Sequence, residues 1–388
     1  MKHVREKRRE RRNKLIKKLM IILMLLMVLG GVSLGVVLYG PSSGFRDWLV
    51  TVSMTSMTHQ WIAKMFYSDE QIEEILRNNR VEEVNEDTDT SSINTAAIDD
   101  IKNYSEIEEV EETFENEYEK QLFGKDLDKE EYNIYAETNS YRIIRITGKG
   151  YTGYLAAIYD PSKVRTLVTS KLGITGEYLT TMAENNKAVV AVNGGRFFDR
   201  GGHGSGAEPR GITFSQGECK STYSYSFAGG MIGFNTDNVL VLSSKCTKAN
   251  AEALNIRDCV CSGPFLIVNG KTSKVFGNGG WGTAPRTAIG QRKDGVVLML
   301  VLDGRMIGRP GANMDDIIEI MQNYGAYNAA NLDGGTSTSM TLNYEVISDP
   351  VDASGTHRTR AIATGFGFIE DISTFDNFEN MDIFEEIE

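Results

Sequence analysis

The segment 328–340, NAANLDGGTSTSM, ends an apolar run on one carboxylate, Asp333, and clears the next two positions of side chains at Gly334 and Gly335. Four hydroxyl residues follow: Thr336, Ser337, Thr338 and Ser339. A surface turn needs only one glycine. Two glycines beside a carboxylate let a ligand approach the backbone and leave N–H groups to donate to it. A second segment has the same plan: the apolar run KAVVAV ends on Asn193, followed by Gly194 and Gly195. Other polar residues stand beside apolar or glycine-rich runs: Arg196, Arg286 in APRTAIG, Asp303 in LVLDGR, and His357, Arg358 and Arg360 in THRTRAIA. A turn or a solvated surface explains any one of these singly. Together, carboxylates, arginines and free backbone donors make a site for an anionic substrate with an acid-labile bond.

Other chemistries have weaker support. GNGGWG at 277–282 has G-x-G-x-x-G spacing, but TAPR follows and cannot open a dinucleotide-binding helix. GGHGSG puts His203 where a nucleophile elbow centred on Ser205 needs its first glycine. Neither H-E-x-x-H nor a Walker loop occurs, and only His203 and His357 lie beyond the N-terminal region to activate a nucleophile. Cys259 and Cys261 are too close for a C-x2-C knuckle and lack a nearby histidine. No metal and no cofactor are expected.

In order and spacing, AVNGGRFFD, APRTAIG, LVLDGR, NLDGGTSTSM and RTRAIATGFGF resemble the phosphodiester glycosidase family, over residues 138–369. Arg196 interrupts the family's N-G-G-F-F, and Thr336 stands where a third glycine is frequent. The resemblance implies hydrolysis of a sugar-1-phosphodiester in a cell-surface or exopolysaccharide glycan, between the anomeric carbon and the phosphate oxygen. It implies catalytic roles for Asp333, Asp303 and Asn193. Arg286 would hold phosphate, with Arg358 or Arg360 as second contact, while Gly194, Gly195, Gly334, Gly335, Thr336, Ser337 and His357 line the substrate. The chemistry is consistent: phosphate is already a weakly basic leaving group, so positive charge to hold it matters more than a strong general acid. Two rival readings use the same residues. One is a non-catalytic wall-polymer binding module, favoured by the Arg196 and Thr336 departures. The other is a hydrolase with Ser337 or Ser339 as nucleophile, whose base is not evident.

What must position these residues is a core spanning about 138–370. Strand-like runs such as YRIIRITG and GYLAAIYD dominate it, and Asp294-Gly295 reads as a hairpin turn. Few helices interrupt them. GEYLTTMAENN has helical spacing, and a better-marked helix has Asn313 as N-cap, Asp315 and Asp316 in its first turn, and Gly325 as stop. The fold class is α+β, a mixed β-sheet core with a few packed helices.

The chain leads into this core through segments of different character. Residues 1–18 hold ten Lys/Arg against two Glu, and residues 19–39 are 21 positions without a charge, enough to cross roughly 30 Å of hydrocarbon. An uncleaved single-pass anchor over 19–40 is expected, with residues 1–18 cytoplasmic and everything after 40 outside the cell. Beyond residue 18 there remain 31 basic and 51 acidic side chains, a net charge of −20 that excludes nucleic acid as a partner. Cys219, Cys246, Cys259 and Cys261 can pair outside the cell, in a pattern the sequence leaves open. Residues 41–67 are rich in Met and aromatics. Ser68 and Gln71 have capping-box spacing, so a short helix starts there. Residues 69–131 carry 23 acidic against 6 basic residues and read as an extended spacer, so the membrane-proximal part runs over 41–137. An acidic tail, 371–388, ends the chain.

Overall fold

The computed structural model describes residues 2–41, 43–55, 59–96, 114–198, 205–223, 229–352 and 354–373. His203, part of the spacer (97–113) and most of the acidic tail (374–388) lie outside them. The chain divides into two compact units, Met1–Asn79 and Arg80–Glu388.

In the first unit a single helix, Lys2–Tyr39, contains the apolar stretch, and its portion Arg11–Tyr39 is long and apolar enough to cross a membrane. Three short helices, Ser43–Thr55, Gln60–Phe66 and Asp69–Asn78, gather Val50, Ala63, Tyr67, Ile72 and Ile75 into a small core. The third starts as the sequence predicts, with reciprocal bonds between Ser68 and Gln71. Tyr39 donates its hydroxyl to the Phe66 carbonyl at 3.0 Å and Tyr67 donates to the Leu38 carbonyl at 2.8 Å, fixing the long helix's end to this bundle.

Strands dominate the second unit, in the expected α+β arrangement. An eight-stranded sheet runs Lys271–Thr272, Phe265–Val268, Ala326–Asn331, Arg286–Arg292, Val297–Leu302, Tyr151–Ile158, Tyr141–Gly148, Ile134–Glu137. A five-stranded sheet runs Glu345–Val346, Met340–Leu342, Ala188–Asn193, Thr364–Ile369, Val164–Val168. A second one runs Glu218–Tyr223, Gly211–Ser215, Ile256–Ser262, Gly230–Asn235, Leu240–Ser243. Chain order within the sheets is mixed, and the pairings between these strands are antiparallel.

All three sheets contribute to one core, where Ile289, Met299 and Val301 meet Val192, Phe366 and Phe368, and Ile232, Phe234 and Val260. Leu298, Leu300 and Leu302 fall on the opposite face of the same strand and pack in a second core under the helix Met314–Asn323. A strand buried on both faces is apolar at every position, which is why VLMLVL shows no alternation. The helix over it has the predicted Asn313 cap, closed by Asp316, and Gly325 follows it at φ 78°. The Asp294-Gly295 turn joins Arg286–Arg292 to Val297–Leu302, with Gly295 at φ 88°. Cys246 and Cys261 form a disulfide, while Cys219 and the buried Cys259 remain thiols.

Within the acidic stretch read as an extended spacer, residues 80–96 are docked on the rest of their unit. Arg80–Glu82 pairs with Lys274–Phe276. Thr88 exchanges two bonds with Leu242, donating to its carbonyl at 3.0 Å and accepting its N–H at 2.9 Å. Asn269 accepts from the Asp89 N–H at 2.8 Å and donates to the Asp87 carbonyl at 2.9 Å, and Ile93 is buried. Downstream, the helix Glu117–Phe123 buries Leu122, whose carbonyl accepts the Tyr159 hydroxyl at 2.8 Å. Acidic composition reports only the solvent face of such a segment; its backbone pairing is invisible in it. Deleting residues 80–96 is expected to lower the calorimetric melting temperature by several degrees. An unchanged value would restore the spacer reading.

Candidate active site

Antiparallel register brings several of the sequence-selected residues to one end of the eight-stranded sheet. Arg286 opens its strand opposite Leu302, and Ala288 lies opposite Asn331. Arg286 therefore begins where Asp303 and Asp333 follow the ends of the two flanking strands. Asn193 ends a strand of the five-stranded sheet, opposite Gly365.

Asn193 is fully buried and spans the two sheets. Its Nδ2 donates to the Asp333 carbonyl at 2.6 Å, and its Oδ1 accepts the Thr287 hydroxyl at 2.6 Å and the Ser339 N–H at 3.1 Å. With these bonds made, Asn193 is a strut that holds the Asp333 backbone. The first glycine pair is also reassigned. Gly194 and Gly195 donate their N–H groups to the Thr364 carbonyl at 2.9 Å and hydroxyl at 3.0 Å, so neither is left for a ligand. A Cβ would stand 2.8 Å from the Thr364 hydroxyl at Gly194 or from the Cys261 carbonyl at Gly195, so close packing is what excludes side chains.

The second pair makes room for a guanidinium. Gly335 has φ 65° and donates to the Pro285 carbonyl at 2.9 Å, and a Cβ on it would meet the Arg305 guanidinium at 2.7 Å. Arg305 in turn donates to the Thr336 hydroxyl at 2.7 Å and the Val351 carbonyl at 3.2 Å. Ser339 donates to the Ser337 carbonyl at 3.2 Å, and both serines are buried. The Ser337 hydroxyl lies near enough to support the Asp333 charge without closing a well-formed hydrogen bond.

Asp333 is half-buried as a residue. Burial pushes its pKa above the usual range; Ser337, Arg360, Arg196 and the Gly334 N–H oppose that. Arg305 also feels its charge. Arg196 lies 4.5 Å over the Trp281 ring and donates to the Gly263 carbonyl at 2.6 Å, and Arg360 lies 4.7 Å over Phe197. Burial lowers Arg196 to about 10, still cationic at neutral pH. Cations thus outnumber the carboxylate, which favours an anionic ligand.

Arg286 is buried, and its Nε and one terminal nitrogen donate to the carbonyls of Ala312 at 3.2 Å, Trp281 at 3.0 Å and Gly282 at 2.6 Å. Burial, then the nearby Arg305 and Arg196, lower its pKa to about 10. It adds positive charge behind the site while bracing the loop that carries Trp281. Arg358 is not brought to Asp333: its exposed side chain pairs with Asp352 at 2.6 Å. His357 is likewise exposed, its Nδ1 2.5 Å from the Asp349 carboxylate. Arg305 was missed from sequence although it stands two positions after Asp303 in LVLDGR; only the fold turns it toward Thr336. Among the described residues, no three His, Cys, Asp or Glu side chains gather as a metal requires.

Asp303 belongs to a neighbouring group, accepting the Asp349 N–H at 2.9 Å, while Asp349 pairs with Arg309 and His357. Burial pushes Asp303 up to about 6. Between the unfolded value near 4 and about 6 the native state binds more protons, so stability should fall on the order of 3 kcal/mol as pH rises through this window. Asp303→Asn retains the acceptor for Asp349 and should flatten that slope in urea titrations. Equal slopes for parent and variant would refute the assignment.

A family model described as phosphodiester glycosidase matches residues 186–369, the stretch that contains Asn193, Arg286, Asp303, Arg305, Asp333 and Arg360. Residues 186–369 are thus similar to phosphodiester glycosidase domains. The zebrafish N-acetylglucosamine-1-phosphodiester alpha-N-acetylglucosaminidase catalytic domain, auto-inhibited by its pro-peptide, has a similar fold. It matches with a TM-score of 0.50 at 23% identity, over 60% of this chain and 82% of that one. A hypothetical protein from Synechocystis matches with a TM-score of 0.42 and 17% identity, over 58% and 61% of the two chains. In sequence, the SPbeta prophage-derived uncharacterized protein YomE of Bacillus subtilis (strain 168) is 27% identical over 207 residues, half of this chain. The chain spans 30% of that relative's length. The phosphodiester glycosidase family is enzymatic, and a carbohydrate phosphodiester substrate fits that family.

Proposed function

We propose that the protein is an extracytoplasmic hydrolase that cleaves a sugar-1-phosphodiester in a cell-surface or exopolysaccharide glycan. The observation that carries this reading is one half-exposed carboxylate, Asp333, among the guanidiniums of Arg196, Arg305 and Arg360, with Arg286 behind. As the bond between the anomeric carbon and the phosphate oxygen breaks, positive charge develops on the sugar and negative charge on the departing phosphate. Asp333 stabilises the first, and the arginines hold the second. Asn193 keeps the Asp333 backbone in place.

The test is to incubate the detergent-solubilised full chain with synthetic sugar-1-phosphodiesters, teichoic-acid fragments and capsule fragments. Free sugar and a phosphomonoester are the expected products. Binding of these ligands without release would support the binding-module reading instead. Ser337→Ala with Ser339→Ala should retain release; its abolition in the folded variant would favour a serine nucleophile.

The apolar helix ending at Tyr39 serves in this reading as a single-pass anchor, with its basic flank cytoplasmic and the glycosidase domain outside. Protease added to intact cells should degrade the domain; its protection would overturn the topology.

A further inference from the structure

The docked stretch 80–96 is a strap, and Glu83 reaches inward from it. Its neighbours face outward: Glu82 pairs with Arg80, and Glu86 pairs with Lys271 on the surface. Glu83 is exposed as a residue, yet its carboxyl group is tied to the turn beneath it. Oε1 accepts the Phe265 N–H at 2.9 Å and lies 3.6 Å from where a Cβ on Gly263 would stand. The turn 263–265 is shared with the site. The Gly263 carbonyl accepts Arg196 at 2.6 Å and the Asn331 side-chain amide at 3.1 Å, and the Pro264 carbonyl accepts the Asn331 N–H at 2.9 Å. Asn331 stands two residues before Asp333. One short turn therefore gathers Glu83, Arg196 and the strand leading to Asp333. The strap's register, Val81 opposite Val275 and the Val84 N–H on the Ser273 hydroxyl at 3.3 Å, brackets Glu83 at this point.

We propose that Glu83 is a positioning residue of the Asp333 site, a second carboxylate whose charge holds the Arg196 guanidinium over Trp281, ready for an anionic group of the substrate. The attraction is mutual, since Arg196 supports the Glu83 charge against burial, and Asp333 and Glu83 both support Arg196. The inference rests on the reading of this site as one for an anion. It assigns the strap a task in recognition, beyond closing a sheet edge.

Trp281 reports on this without any need for turnover. The chain has three tryptophans, so Trp48→Phe with Trp61→Phe leaves Trp281 as the only indole of the full-length protein. In this background Glu83→Gln keeps the acceptor for Phe265 and removes only the charge. It is expected to change iodide quenching of Trp281 by about twofold or more, because the cation over the ring loses a counter-charge. It should also weaken the protection that inorganic phosphate gives against iodide. Glu83→Asp should retain most of the parental response. Thr88→Ala loosens the strap at Leu242 without touching the charge and should behave as the parent. Glu83→Gln quenching identical to the parent's would overturn the proposal. Thr88→Ala reproducing the Glu83→Gln change would also overturn it, leaving Glu83 as a strap anchor alone. A parent chain inert on every diester would refute the hydrolase reading, while the Trp281 measurement would still decide the role of Glu83.

Discussion

Asp333→Asn is expected to melt near the parent's temperature and to lower turnover of a sugar-1-phosphodiester on the order of 100-fold or more. The fold should survive because the Asp333 backbone, not its side chain, carries the ties. Asn193 donates to its carbonyl and its own N–H donates to the Gly194 carbonyl at 3.0 Å. The amide remains a neutral near-isostere in a half-exposed position. What disappears is the negative charge facing the anomeric carbon, and a 100-fold loss corresponds to about 2.7 kcal/mol of transition-state stabilisation. Because burial raises the Asp333 pKa, the parent's rate should fall on the acid side at a pH above the ordinary aspartate range. The variant's residual rate should lack that limb. An Asp333→Asn enzyme as fast as the parent would reduce Asp333 to a turn residue and move attention to Asp303.

Arg286→Lys should affect folding and recognition together. A lysine replaces a planar fork by one point charge on a flexible stem. One ammonium cannot reproduce the directions in which Nε and the terminal nitrogen reach Ala312, Trp281 and Gly282. Each buried carbonyl left unpaired costs about 1–3 kcal/mol, so a stability loss on the order of 3 kcal/mol is expected. For a domain of this size that is a fall of about 5 °C or more in melting temperature. The loop carrying Trp281 would loosen with it, and KM for a diester should rise because Arg196 stacks on that ring. A variant with unchanged melting temperature and a raised KM would show instead that Arg286 meets the phosphate directly. One unchanged in both would remove Arg286 from the site altogether.

Features legible in the sequence are those determined by short-range physics. The Ser68 and Asn313 caps, the Gly325 stop and the Asp294-Gly295 turn each depend on residues within a few positions, and each is present. The uncharged run before Tyr39 and the α+β class follow equally from local hydropathy and β-branched runs. The motif order that the family model matches was legible too, since Asn193, Asp303 and Asp333 stand at or just beyond the ends of apolar strands.

The division of labour among those polar residues was decided only by tertiary contacts. Asn193 and Arg358 are both polar residues of glycine-rich neighbourhoods in the sequence, yet one joins two sheets and the other pairs with Asp352 at the surface. The partner that makes Asn193 a strut is 140 positions away, and the turn that receives Glu83 is 182 positions away. Composition gave residues 69–131 the profile of an extended spacer, because net charge describes what faces water and omits the backbone pairs that dock residues 80–96 as a strap. Sequence by itself determined which elements form and which chemistry-bearing residue types sit at their ends. The tertiary structure decided which of those residues come together, because a side chain's function depends on partners brought close by folding and not by chain order.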